Sequence, residues 1–173
     1  MSVTILLLRG INVGGRNRLP MADLKAIAMA CGATSAGHYL QSGNLAVTGT
    51  ADPEAIAEHI EAAHGFRPQI MARSLAEWRR IVAANPFPEV IDPKALHLFC
   101  LAGASSTTAA QLQAEAGPDE RVYVTPGEVY LHTPGYLSGS KIAERLERLM
   151  QVPVTARNWR SVEAILSLAE SLA

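Results

Sequence analysis

Val3-Thr4-Ile5-Leu6-Leu7-Leu8-Arg9-Gly10-Ile11-Asn12-Val13-Gly14-Gly15-Arg16-Asn17-Arg18-Leu19-Pro20 runs from an unbroken apolar segment through a loop of glycine, asparagine and arginine to a proline. The short apolar run, β-branched at its start, predicts a strand over Val3 to Arg9 buried on both faces. Pro20 suits the first turn of a helix, and Met21, Leu24, Ile27, Ala28 and Cys31 recur at helical spacing until Gly32 stops them. Nothing in a core requires the residues between. Glycines there permit positive φ and close backbone approach, and arginines add fixed charge and planar donors, so the loop is a candidate for holding an anion.

Downstream, His38-Tyr39-Leu40-Gln41 and Leu45-Ala46-Val47-Thr48 flank Ser42-Gly43-Asn44, as two arms of a hairpin do. Asp52 is a good N-cap, Pro53 a good first helical residue, and Ile56, Ala57, Ile60 and Ala63 give the apolar face of a helix ending at Gly65. Phe66 to Met71 reads as a strand, and its Pro68 assigns it to a sheet edge. Ser74 caps a helix with Leu75, Trp78, Ile81 and Val82 inward, which stops at Asn85-Pro86-Phe87-Pro88.

The pattern then repeats. Strand Leu96 to Leu101, helix Thr107 to Ala116, strands Arg121 to Val124 and Glu128 to His132, helix Ser140 to Met150 and strand Val152 to Ala156 with Pro153 follow, before a closing helix from Val162 to Leu172. The expected fold is α+β: two ferredoxin-like βαββαβ units with mainly antiparallel sheets, linked by a helix, plus a C-terminal helix. The expected boundaries are 1–73 for the first unit, 74–95 for the linking helix and proline-rich connection, and 96–173 for the second unit. In the spatial order 4-1-3-2 the exit of the first strand and the hairpin turn share one end of the sheet. Gly10 to Arg18 should therefore lie beside Gln41 to Asn44, and Ser138 to Lys141 at one end with Arg157 to Arg160.

The chain has 173 residues, 49% hydrophobic and 18% charged, which suits a folded core and excludes a disordered polymer. No run of about 18 apolar residues offers a membrane span. The N-terminal segment lacks the basic start and small-residue exit of a signal peptide. Cys31 and Cys100 alone make neither a disulfide framework nor a zinc pattern, so a cytoplasmic protein with reduced thiols is expected. With 15 basic against 16 acidic residues there is no global field for nucleic acid, and any anion site must be local.

Gly10-x-x-x-x-Gly15-Arg16-Asn17 has the glycine spacing of a phosphate-binding loop. Arginine replaces its lysine and asparagine its Ser/Thr, which removes nucleoside-triphosphatase chemistry. Ser140 and Lys141 open a helix, where free N–H groups favour an anion. The five histidines, His38, His59, His64, His97 and His132, show no ligand spacing, so no metal and no cofactor are expected. No nucleophile elbow or acid/base pair emerges, and the sequence names no reaction.

Leu8-Arg9-Gly10-Ile11-Asn12-Val13-Gly14-Gly15, Gln41-Ser42-Gly43-Asn44, Asn85-Pro86-Phe87, Gly139-Ser140-Lys141 and Thr155-x-Arg157-Asn158-Trp159 together resemble the bacterial family known as domain of unknown function 1697. The resemblance implies a small cytoplasmic α/β protein with paired ferredoxin-like units, and it implies no established activity. The expected partner is a small anionic or nucleotide-like ligand. Its candidate contacts are Arg9, Gly10, Asn12, Gly14, Gly15, Arg16, Asn17, Gln41, Ser42, Gly43, Asn44, Ser140, Lys141, Arg157 and Asn158. The alternatives are an interaction or structural module without ligand, and single-stranded nucleic-acid binding, which 5% aromatics and an aromatic-free first strand disfavour.

Overall fold

A computed structural model describes residues 2–173. It contains six helices and two four-stranded antiparallel sheets, an α+β fold. In the first sheet, β1 (Val3–Leu8), β2 (Ala33–Tyr39), β3 (Asn44–Gly49) and β4 (Ile70–Ser74) stand in the order β2-β3-β1-β4. In the second, β5 (Leu96–Leu101), β6 (Arg121–Val124), β7 (Glu128–His132) and β8 (Val154–Asn158) stand in the order β6-β7-β5-β8. Each is the 4-1-3-2 arrangement of a ferredoxin-like unit.

The helices are α1 (Met21–Ala30), α2 (Pro53–His64), α3 (Leu75–Ala83), α4 (Ala109–Glu115), α5 (Lys141–Met150) and α6 (Trp159–Ser171). Two compact units result: residues up to Ala83 with Glu163–Ala173, and Ala84–Val162. Thus α3 and most of α6 group with the first sheet.

In the first unit, alternate residues of the central strands serve opposite faces. Leu6, Leu8, Leu45 and Val47 pack with Leu24 and Ala28 of α1 and Ile56 and Ile60 of α2. Ile5, Leu7 and Ala46 point the other way and are equally buried. On that side Trp78 and Ile81 of α3 are buried, and a Cβ on Gly37 of β2 would stand 2.8 Å from Leu168 of α6. A strand buried on both faces explains why β1 is continuously apolar from Ile5 to Leu8. In the second unit, Phe99, Leu101, Val129 and Leu131 pack with Leu112 of α4 and Ile142, Leu146 and Met150 of α5. The opposite face carries Leu98, Cys100, Tyr130 and Arg157, with the Trp159 ring 6.3 Å from that of Tyr130.

Local chemistry sets the helix ends. The Asp52 side chain accepts from the Glu54 N–H, and Gly65 closes α2 at φ 77°. Ser74 and Glu77 exchange hydrogen bonds at the start of α3, as Thr108 and Gln111 do at α4.

Several boundaries differ from expectation. Pro68 and Pro153 precede β4 and β8 instead of lying inside them, since proline has no N–H for the ladder; both strands still sit at sheet edges. β2 begins at Ala33, five residues before the expected arm, because its small polar residues follow the pairing demanded by β3. β8 extends through Asn158, where Arg157 pairs with Leu98 and Asn158 with His97. Asn158 then caps α6, its Oδ1 accepting from the Ser161 N–H at 2.9 Å, so the helix starts at Trp159 rather than Val162.

Candidate functional site

The loop after β1 is a miniature hairpin built from left-handed residues. Gly10, Asn12, Gly14, Gly15 and Asn17 have φ of 70°, 53°, 57°, 76° and 50°. The Arg16 N–H donates to the Val13 carbonyl at 3.0 Å across Gly14-Gly15, a turn whose two central residues both need positive φ. A Cβ at either glycine would meet nothing within 4 Å, so backbone conformation alone calls for glycine there. Asparagine tolerates the same region better than other side chains.

Asn12 bolts the loop together. Its Oδ1 accepts from the Leu19 N–H at 2.8 Å, while its Nδ2 donates to the carbonyls of Leu19 at 3.0 Å and Gln41 at 2.7 Å. Asn17 Nδ2 donates to the Gly10 carbonyl at 3.0 Å. Ile11 and Leu19, each 1% exposed, pin both ends into the core. These contacts leave Arg16 and Arg18 exposed at the rim and use up the amide donors of Asn12 within the protein.

Topology brings the hairpin turn to the same rim. The Leu8 N–H donates to the Gly43 carbonyl at 2.8 Å. Gly43 (φ 83°) lies so close that a Cβ would stand 2.6 Å from the Leu8 carbonyl oxygen. Asn44 is fully buried, its Nδ2 donating to the Tyr39 carbonyl and Ser42 Oγ, both at 3.1 Å. Gln41 and Ser42 are exposed.

Two open depressions flank the loop. One, of about 360 Å³, is lined by Arg9, Gly10, Asn17, Arg67, Pro68 and Gln69. Arg67 there is held by Glu54 at 2.9 Å, Glu61 at 3.3 Å and Glu58 at 3.4 Å, so its charge is already answered. The other, of about 410 Å³, is lined by Asn12, Arg18, Leu19, Pro20, Met21, Ala22 and Gln41. It opens onto the start of α1, whose N-cap residue is Pro20 and which has no side-chain cap. The leading N–H groups of a helix carry partial positive charge and Arg18 adds to it, while Asp23 in the first turn of α1 opposes them and faces His64 at 3.5 Å. The backbone of Met21 and Ala22 is not among the residues expected from sequence; the signal for it is a proline at the N-cap, which can offer no side-chain acceptor.

The other four candidates lie in the second unit. Ser140 is 1% exposed and caps α5, accepting from the Ala143 N–H at 3.2 Å, and Lys141 follows it, exposed. Arg157 is 9% exposed, and its Nη1 donates to Thr155 Oγ1 at 2.9 Å and the Ala156 carbonyl at 2.7 Å. Burial pushes the guanidinium down to about 10, partly offset by Cys100. Ala156 packs toward α4 and α5, so strand alternation sends Arg157 to the opposite face from Lys141. Arg157 and Asn158 therefore belong to a strand and a helix cap, not to the expected exit loop.

A two-sheet α+β chain with a glycine- and arginine-rich rim at the exit of its first strand is the class these features define. The chain belongs to the family described as protein of unknown function (DUF1697), whose model matches residues 1–130. A solved structure of a conserved bacterial protein from Streptococcus pneumoniae is similar, with TM-score 0.68 and 23% identity, over 97% of this chain and 98% of that one. That likeness shows the fold. No curated protein matches. Among the described residues no helix is long and apolar enough to cross a membrane, and no three His, Cys, Asp or Glu side chains are grouped to hold a metal ion.

Proposed function

We propose that the first unit binds a small anionic ligand at the start of α1, with Arg18 as the charged contact and Gln41 as a polar one. One observation carries this proposal. The two units share a frame, yet the first helix of the second unit is closed by a full capping box at Thr108, whereas the corresponding start of α1 is uncapped, flanked by arginine and open to a depression. Helix starts in that condition favour phosphate or carboxylate groups. Arg16 extends the positive rim, and Asn12, Gly14, Gly15, Asn17 and Gly43 hold its shape. Cys31 and Cys100, neither of them in a disulfide, support a cytoplasmic setting.

Thermal shift with inorganic phosphate, nucleoside monophosphates and dicarboxylates tests the proposal on wild type and an Arg16→Ala, Arg18→Ala double variant. A ligand at about 100 times its Kd should add about 2.7 kcal/mol of stability to wild type and clearly less to the variant. Equal shifts, or none for any anion, contradict it. A second occupant is favoured by Val13 and Leu40, apolar side chains 64% and 56% exposed near the same rim, Leu40 at the costly φ of 57°. These suit a protein partner. Such a partner would be lost with Leu40→Ser and kept in the arginine variant.

A further inference from the structure

The segment that carries the chain from α3 into β5 is bonded to the second unit through Pro93 and Ala95 at its far end, whose carbonyls accept from the Trp159 and Thr133 N–H groups, and its Phe87–Glu89 part is held by an arginine. Arg121, on the edge strand β6, donates from Nη2 to Glu89 Oε1 at 2.6 Å and lies with its guanidinium carbon 4.7 Å from the centre of the Phe87 ring. The same guanidinium approaches Nδ1 of His132, its register partner on β7, with Nε at 3.4 Å and Nη2 at 3.3 Å. The Phe87 ring is buried at 7% exposure and stands 6.2 Å from the His132 ring. A guanidinium has donors only, so Nδ1 must be the acceptor, and the imidazole in this arrangement is neutral with its hydrogen on Nε2.

We propose that Phe87, Glu89, Arg121 and His132 form an acid-released clasp: protonation of His132 at Nδ1 expels Arg121 and frees the Phe87–Glu89 segment. Protonation removes the lone pair Arg121 donates to and sets a second positive charge against the first. Arg121 cannot retreat alone, because the same side chain holds Glu89 and covers Phe87.

The charged groups acting on His132 are Arg121 from β6 and Glu89 from the connecting segment; its neighbour on β5 is Leu96, which carries no charge. Burial and then Arg121 hold the imidazole below the ordinary histidine value of 6.5, and Glu89 opposes them. A depressed histidine binds its proton better in the open state. The clasp is therefore fully closed above the open-state value and weakens as pH falls from there through the closed-state value.

Backbone amide exchange of Phe87 and Val90, with ring-proton NMR of His132, tests this in the full chain. Both amides are internally bonded, Phe87 to Asn85 Oδ1 at 2.9 Å and Val90 to the Phe87 carbonyl at 3.1 Å, so they report segment order. After correction for intrinsic exchange, their protection should drop about tenfold for each pH unit across the span between the two histidine values. His132 should titrate below 6.5 over the same span. In His132→Asn, which keeps an acceptor and cannot titrate, protection should be high and flat with pH. Protection that stays constant while His132 titrates, an equal drop in His132→Asn, or loss only together with the amides of β5 would overturn the proposal. If the variant fails to fold, the wild-type coincidence of the two titrations decides alone.

Discussion

The exits of the first strands of the two units share a hydrogen-bond frame and differ in everything hung on it. The Leu8 N–H donates to Gly43 and the Arg9 N–H to Gln69, at 2.8 and 2.9 Å; the Leu101 N–H donates to Gly127 and the Ala102 N–H to Pro153, both at 2.9 Å. Each pair ties the central strand to the hairpin turn on one side and to the residue before the edge strand on the other. Beyond that point the second unit closes on itself. Ser105 Oγ donates to the Met150 carbonyl at 2.6 Å, Thr107 Oγ1 to the Leu149 carbonyl at 2.7 Å, and Thr108 caps α4. Those hydroxyls satisfy the C-terminal end of α5 and the N-terminal end of α4 at once. The first unit has no such closure: its loop stands up as a hairpin of left-handed residues, and α1 begins without a cap. The difference teaches which loop is spent on structure alone and which leaves donors outward.

That contrast can be broken by substitution. Gly43→Ala is expected to have the largest effect, about 4 kcal/mol of lost stability, because the added Cβ meets the Leu8 carbonyl at 2.6 Å in a left-handed residue. Denaturant unfolding measures it, and a loss below about 1 kcal/mol would show that the two turns are not locked as described. Asn12→Ala removes three hydrogen bonds and a tolerated left-handed residue, for about 3 kcal/mol. Thr108→Ala in the second unit removes one cap and should cost about 1 kcal/mol by the same assay. The smallest stability change belongs to Pro20→Asp. An aspartate there has the extended backbone a cap needs, φ −60° and ψ 139°, and should stabilise α1 by about 0.5 kcal/mol.

Much of this was legible from particular residues. The apolar run at Val3, the Asp52-Pro53 helix start and the two hairpin turns gave the order of elements, and the rule for crossovers then placed Gln41 to Asn44 beside the first loop. Less legible was the use of the polar residues. Asn12, Asn17, Asn44, Ser140 and Asn158 carry groups suited to a ligand, and each spends them on turns or helix ends. Sequence shows that a donor exists but not which carbonyl comes within 3 Å of it. Arg157 lies one residue beyond the expected end of its strand at Ala156; pairing with Leu98 keeps it in the sheet, where alternation fixes its face. The uncapped start of α1 was hidden because Pro20 reads equally as the first helical residue and as the residue before it.

The same Pro20→Asp variant gives the most direct test of the central claim, since its carboxylate would occupy the place proposed for a bound anion. Thermal unfolding in rising phosphate at constant ionic strength should raise the Tm of wild type and leave that of Pro20→Asp flat, with the variant starting from the higher value. Parallel rises in both proteins would put the anion elsewhere, and a flat response in both would contradict an anion seat at α1.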